Sequence, residues 1–97
     1  MITTKQRAEL RAMANTMETI FQIGKGGIGD ALIKQVEDAL KARELIKMRV
    51  LDNSIFSAKE AAQEISEKTD SDVVQVIGTK FVLYKKNEKE PVIKLSK

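Results

Sequence analysis

Four of the five glycines in this 97-residue chain lie within six positions, around a single lysine, in the segment FQIGKGGIGD at residues 21–30. They are Gly24, Gly26, Gly27 and Gly29. Glycines collect where a backbone must approach another group closely or adopt a conformation that side chains disfavour. A glycine-rich loop between an apolar strand and a helix presents backbone N–H groups to an anion, most commonly a phosphate. Lys25 would add a positive charge inside this loop.

The glycine spacing excludes one phosphate-binding motif and matches two others. A Walker loop needs G-x-x-x-x-G-K-[ST], whereas here the lysine directly follows the first glycine and no Lys-Ser/Thr pair opens the helix. Gly24, Gly26 and Gly29 do have the spacing of the dinucleotide fingerprint G-x-G-x-x-G, a pattern that is weak when it stands alone. Gly24 to Gly27 fit G-x-x-G, the loop with which KH-type domains clamp a nucleic-acid backbone. Because the pattern is short, a glycine-rich turn without a ligand stays open as an alternative.

The composition limits the chemistry available elsewhere in the chain. With no cysteine and no histidine, it has no disulfide, no zinc site of the usual kind and no histidine base. Asp30, Glu37 and Glu44 could serve an enzyme as acid or base, but they fit helix ends and surfaces. No apolar stretch approaches the roughly 20 residues of a membrane span, and the N-terminus is too polar for a signal peptide. These features predict a small, monomeric, cytoplasmic protein that is not an enzyme and holds no metal or cofactor.

The net charge of +3 is unevenly distributed. Residues 1–51 carry nine Lys or Arg against six Asp or Glu, residues 52–79 carry two against six, and residues 80–97 carry six against two. If the acidic middle segment lies on one side, the remaining surface is more basic than the total suggests. Charge alone nominates several residues for this surface: Lys5, Arg7 and Arg11 on the first predicted helix, and Lys47 and Arg49 on the second predicted strand. An ordinary solvated surface is an equal alternative for each of them.

Capping patterns and hydrophobic periodicity predict three helices. Thr3 and Gln6 have the spacing of a capping box at the start of the first. The second follows the glycines and has Asp30 in its first turn, where a carboxylate suits the helix dipole. Ser57 and Glu60 form a capping box for the third.

Four predicted strands alternate with these helices. Residues 19–23 are short and apolar, residues 46–50 alternate between apolar and basic, and Gly78-Thr79 fits the loop of a type II′ hairpin joining the last two strands. The order α-β-α-β-α-β-β predicts an α/β fold with a four-stranded mixed sheet, in which the early strands pair in parallel. The last two strands are apolar on both sides, so helices two and three should cover one face and helix one part of the other.

Separated blocks of the sequence resemble the CRM domain (chloroplast RNA splicing and ribosome maturation), in its stand-alone bacterial YhbY-type form. The blocks are TKQ at 4–6, IGKGGI at 23–28, AL and RELIK within 39–47, and VQVIG and VLY within 74–84. The resemblance covers residues 3–85 and implies a fold like the C-terminal domain of translation initiation factor three. It predicts that residues 1–85 are a single CRM-type RNA-binding domain. Residues 86–97 are charged and contain the only proline, a composition that predicts a flexible tail.

Two departures from the family pattern stand out. Thr19 occupies a position before the first strand where the family commonly has proline, which affects the entry to the strand rather than the loop. The segment ISEKTDSDVV, residues 65–74, is more acidic than in many relatives. The acidity argues against RNA on that side.

The resemblance implies that the G-x-x-G loop contacts RNA. Gly24 and Gly27 match its fixed glycines, Lys25 matches its basic position and would contact phosphate as a point charge, and Gly26 would keep the loop open. Lys34, one turn into the second helix, would continue the basic track. With few aromatic rings available for stacking, recognition of shape and phosphate is favoured over reading of single-stranded sequence.

The partner that the resemblance implies is ribosomal RNA in precursors of the large ribosomal subunit. A DNA-binding module would use the same basic surface. A third class is a protein-docking module, in which the acidic third helix binds a basic ribosomal protein. The helix residues that would do so are Glu60, Glu64, Glu67 and Asp70.

Overall fold

The computed structural model describes residues 2–95, in which three helices and four strands follow the predicted α-β-α-β-α-β-β order. The elements are α1 (Thr4–Ala14), β1 (Phe21–Ile23), α2 (Asp30–Arg43), β2 (Leu45–Val50), α3 (Ala58–Thr69), β3 (Asp72–Ile77) and β4 (Lys80–Tyr84). Met1, which the predicted domain includes, and the last two residues of the predicted tail lie outside the described residues. None of the helices within 2–95 is long and apolar enough to cross a membrane.

Both predicted capping boxes are confirmed. At the start of α1, the Gln6 N–H donates to the Thr3 hydroxyl at 3.1 Å and the Thr3 N–H donates to the Gln6 side chain at 3.0 Å. Ser57 and Glu60 make the same reciprocal pair at α3, at 3.1 and 3.0 Å. The hydrogen bond from the Ser57 backbone holds the pKa of the Glu60 carboxyl below its usual value. These pairs satisfy backbone donors that the first turn of a helix otherwise leaves unpaired.

The strands form one mixed sheet in the order β1-β2-β4-β3. β1 pairs with β2 in parallel, and β4 is antiparallel to both β2 and β3. The last strand in the chain is therefore central, which suits its sequence because four consecutive residues, Phe81 to Tyr84, are buried. β1 is shorter than the predicted 19–23, although the Ile20 N–H still donates to the Lys47 carbonyl at 2.9 Å. A positive φ of 57° at Gly78 fits the predicted hairpin turn.

Two apolar clusters lie on the two faces of the sheet. α2 and α3 cover one face, as predicted, with buried residues that include Val36, Leu40, Ile46, Met48, Ile65, Phe81 and Leu83. α1 covers part of the other face, with Leu10, Ala14, Leu45, Val74, Val82 and Tyr84. The prediction that both last strands are covered on both sides is right for β4 and wrong for the end of β3, where Val76 and Ile77 are 39% and 60% exposed. Ile77 pairs with Lys80 and lies on the face of α1, which does not cover it, whereas Val76 pairs with Phe81 and lies on the face of α2 and α3, at the edge of α3.

Glu44 connects the C-terminal segment to the domain. It caps the C-terminal end of α2 with a positive φ of 63°, as expected of a residue at a helix end, but it is fully buried and does not lie on the surface. One carboxylate oxygen accepts from the backbone N–H groups of Val92 and Ile93, and the other accepts from that of Asn87, each at 2.6 Å. Leu95 and Ile93 pack against the α1 cluster. The boundary at residue 85 stays a prediction, and these contacts argue for a longer domain.

Candidate nucleic-acid interface

The glycine loop is a tight turn between β1 and α2. The Gly27 N–H donates to the Gly24 carbonyl at 3.0 Å, which leaves Lys25 and Gly26 as the two central residues. Both are exposed, as the sequence predicts. Gly27 has a φ of +72°, a left-handed conformation that L side chains rarely adopt, whereas a side chain at Gly26 would meet no atom within 4 Å. The turn therefore presents a charged residue and a bare stretch of backbone to solvent.

The segment joining β2 to α3 lies against this loop. A Cβ added to Gly24 would lie 3.4 Å from the side chains of Leu51 and Asn53, and one added to Gly27 would lie 3.5 Å from the ring of Phe56. Phe56 is half-buried and also packs against the apolar cluster of α2 and α3. The loop is thus supported from beneath by side chains while its outer surface stays open.

Beside the loop, a row of four residues crosses every strand of the sheet. Gln22, Arg49, Lys80 and Ile77 are register partners on β1, β2, β4 and β3, and we call them the basic row. Arg49 is two residues from Lys47 on β2, so both side chains are on the same face of the sheet. The Lys47 ammonium contacts α1, and the basic row therefore belongs to the face that α1 partly covers. Gln22, Lys80 and Ile77 are exposed. The glycine loop begins at this open end of the sheet, since Gln22 of β1 is two residues before Gly24.

The two charges of the basic row face each other across neighbouring strands. Arg49 and Lys80 are opposite in the β2–β4 register, and like charges in that arrangement repel. When the Gln22 amide is assigned with its oxygen toward Arg49, this oxygen accepts from Nε at 3.3 Å and from Nη2 at 2.9 Å. A bound phosphate would remove the repulsion, because it supplies the negative charge that the pair lacks.

Two of the basic residues nominated by charge have backbone partners. The Lys47 ammonium donates to the carbonyl of Ala14, the last residue of α1, at 3.1 Å, where a cation suits the helix dipole. The Arg7 guanidinium donates to the carbonyl of Val73, and its Nη1 also lies 3.4 Å from the carbonyl oxygen of Val74. These contacts fasten α1 to the sheet, so both side chains have a structural role whether or not RNA is present.

The remaining predicted residues divide by position. Lys34 is exposed one turn into α2, near the helix end that follows the glycine loop. Lys5 is exposed in the first turn of α1, close to Arg7 and hence to β3, at the sheet edge opposite β1. Arg11 is exposed in the last turn of α1. The structure thus brings Lys25, Lys34 and Arg49 to one end of the molecule and leaves Lys5 away from it.

Sequence reasoning missed Lys80 as a member of the site. The hairpin signal at Gly78-Thr79 could place it opposite Ile77, but nothing in the sequence pairs β4 with β2. Asn53 and Phe56 were missed for the same reason, since their contact with the glycines depends on how β1 and β2 lie side by side. Among residues 2–95, no group of three or more acidic side chains could hold a metal ion.

The sequence pattern of the CRS1/YhbY (CRM) domain matches residues 2–85. The chain belongs to this family. The match covers all three helices and all four strands, and with them the glycine loop and the basic row. It confirms the resemblance drawn from the separated blocks of sequence.

Individual proteins are similar to this chain over nearly its whole length. The chain is 43% identical over 95 residues to the probable RNA-binding protein YqeI of Bacillus subtilis, covering 98% of this chain and 99% of that one. It is 28% identical over 91 residues to an RNA-binding protein of Haemophilus influenzae, covering 94% of this chain and 92% of that one. The solution structure of the Staphylococcus aureus protein SAV1595, described as a candidate RNA-binding protein, is 47% identical and superposes with a TM-score of 0.81, covering 99% of this chain and all of that one.

Proposed function

We propose that this CRM protein binds RNA through the glycine loop and the basic row, and that its partner is ribosomal RNA in precursors of the large ribosomal subunit. The observation that carries the RNA-binding part is the meeting of an exposed G-x-x-G loop with a repelling Arg49–Lys80 pair at one end of the sheet. The names of the relatives support RNA as the ligand. The ribosomal part depends on the family resemblance. The protein acts as a monomeric binding protein in the cytoplasm, not as an enzyme.

The loop would hold a phosphate by backbone and charge together. Gly26 has no neighbour that a phosphate would have to displace, and Lys25 beside it supplies a positive charge. Arg49 and Lys80 would bind the next phosphates along the RNA, since the basic row continues from β1 across the sheet. Contacts of this kind position a nucleic acid without reading its bases.

Sedimentation of extracts from growing cells tests the cellular role. At low salt the protein should sediment with immature large subunits and not with translating ribosomes, and its depletion should cause such precursors to accumulate. Finding it only in the free fractions would contradict the ribosomal part of the proposal. Purified protein should also bind a fragment of large-subunit RNA more tightly than duplex DNA of equal length at matched salt; equal affinity would favour the DNA-binding alternative.

A protein-docking role for α3 is the second candidate. Glu60 and Glu67 are exposed on this helix and Asp70 is exposed at its C-terminal cap. A shallow groove that includes Glu67 is lined in part by Val73 and Val76 of the β3 edge. This surface would suit a basic segment of a ribosomal protein. Association with ribosomal precursors that persists after nuclease treatment would favour it over direct RNA binding.

A further inference from the structure

Ile55 has the largest exposed fraction among the exposed large apolar residues in the described part of the chain, at 76%. It lies between β2 and α3, in the segment that supports the glycine loop. Single apolar side chains at a protein surface are common and need no function. Ile55 differs from such residues in two ways: the hydrogen bonds of Ser54 fix its backbone, and its neighbours in the chain contact the glycine loop.

The exposure of Ile55 is imposed by Ser54. The Ser54 hydroxyl accepts from the Phe56 N–H and donates to the Phe56 carbonyl, both at 3.0 Å, so the Ser54 side chain bridges Ile55 and binds both backbone groups of Phe56. The Ser54 N–H in turn donates to the Leu51 carbonyl at 2.9 Å. These hydrogen bonds hold the backbone in a turn that points Ile55 outward.

The residues on both sides of Ile55 contact the glycine loop. Asn53 lies 3.4 Å from the position that a Cβ on Gly24 would take, and Phe56 lies 3.5 Å from the corresponding position on Gly27. Ile55 is thus an exposed apolar residue in a short segment whose other side chains contact the glycine loop. A ligand held at that loop has an apolar surface within reach.

We infer that Ile55 is the apolar contact for an unpaired nucleotide of the RNA strand whose phosphate the glycine loop holds. This inference rests on the proposed function. In a paired A-form helix the base faces are stacked and the grooves display polar edges, so only a splayed nucleotide offers an apolar face next to its own phosphate. The contact therefore distinguishes unpaired from paired RNA. Because the Ile55 side chain can make no hydrogen bond, the contact does not select one base.

Two probes of equal length separate this contact from phosphate binding: a single-stranded oligouridylate and a fully paired RNA duplex. Ile55→Ala should weaken binding of the oligouridylate by roughly tenfold, the effect of removing a few buried methyl and methylene groups. Binding of the duplex should be unchanged. Because no charge is removed, the slope of log K against log salt should be unchanged for both probes.

Val92→Ala is the matched control, since Val92 is also an exposed apolar residue, at 60%, and lies in the C-terminal segment held at Glu44. It should bind both probes as the parent does. Ile55→Tyr adds an aromatic ring at the same place and should tighten oligouridylate binding by stacking. Melting temperatures of all three variants should match that of the parent, because both positions are exposed.

The inference is overturned if Ile55→Ala binds the oligouridylate as tightly as Val92→Ala does, or loses the same factor on the duplex. In either case Lys25-dependent binding would persist and the proposed function would stand. If the parent protein binds neither RNA probe nor a fragment of large-subunit RNA at low salt, the proposed function fails and this inference fails with it.

Discussion

At the level of single residues, a side chain added at Gly26 and one added at Gly27 should have different effects on the stability of the fold. Gly26→Asp should leave the melting temperature unchanged, because its side chain would extend into open space. It should nevertheless weaken RNA binding strongly, since it adds a negative charge where the backbone meets phosphate. Gly27→Asp should also destabilise the fold, by about 1 kcal/mol, because an L residue must adopt the φ of +72°. Thermal melts and RNA titrations of both variants check this.

The first of these variants is the cleaner test of the loop. A Gly26→Asp protein that folds normally and binds RNA as tightly as the parent would show that the glycines form only a turn. A second variant at this position, Gly26→Ala, adds bulk without charge and so separates the electrostatic effect on RNA binding from the steric one.

Lys80 should have opposite effects on stability and on binding. Lys80→Gln removes the repulsion with Arg49 and should stabilise the fold at low salt, by about 0.2–1 kcal/mol. It should weaken RNA binding, because one phosphate contact is lost. Urea unfolding and RNA titration at low salt measure the two effects, with Lys68→Gln on α3 as the control for net charge. A variant that loses stability, or that binds RNA like the control, would contradict the role given to the basic row.

At the level of elements, residues 87–95 should behave as part of the domain. Deleting residues 86–97 leaves the buried Glu44 carboxylate without three backbone donors and removes Ile93 and Leu95 from the α1 cluster. A hydrogen bond to a charged acceptor contributes about 1.5 kcal/mol or more, so losing three of them together with these apolar contacts should lower the urea midpoint markedly. RNA binding by the folded fraction should persist, because Glu44 is at the opposite end of α2 from the glycine loop.

A double-mutant cycle isolates the contact with Glu44. If the tail acts through this carboxylate, the deletion should cost less in a Glu44→Ala background than in the parent. A deletion that leaves the urea midpoint unchanged would instead support the flexible tail predicted from composition.

Elements with local signals could be predicted from the sequence, and those that depend on distant pairing could not. The capping boxes at Thr3 and Ser57, the helix after the glycines and the hairpin at Gly78-Thr79 are all properties of a few adjacent residues. The position of β4 between β2 and β3 is not, because strand order depends on which apolar faces meet in three dimensions. The burial of Glu44 was unpredictable for a similar reason: its partners are more than forty residues away.

The site shows the same division. The glycine loop and Lys25 are recognisable in one stretch of sequence. The basic row is not, since its four members come from four strands, and charge alone could not separate Arg49 from Arg7 or Lys47, whose partners are backbone carbonyls of other elements.

Across the whole molecule, positive and negative charge lie in different places. Glu60, Glu64 and Glu67 of the acidic middle segment are on α3, which packs on one face of the sheet. The basic row lies on the other face, next to the glycine loop. This separation leaves a basic surface that a net charge of +3 understates, and it predicts that RNA approaches from the loop end.

The salt dependence of RNA binding by Lys25→Ala and Lys5→Ala tests the central claim most directly. Both variants lose one positive charge from an exposed lysine, but Lys25 is in the glycine loop and Lys5 is near the opposite edge of the sheet. If phosphate is held at the loop, Lys25→Ala should weaken binding and lower the slope of log K against log salt by about one, whereas Lys5→Ala should keep the parent slope. Equal slopes for the two variants, with both folded, would contradict an RNA site at the glycine loop.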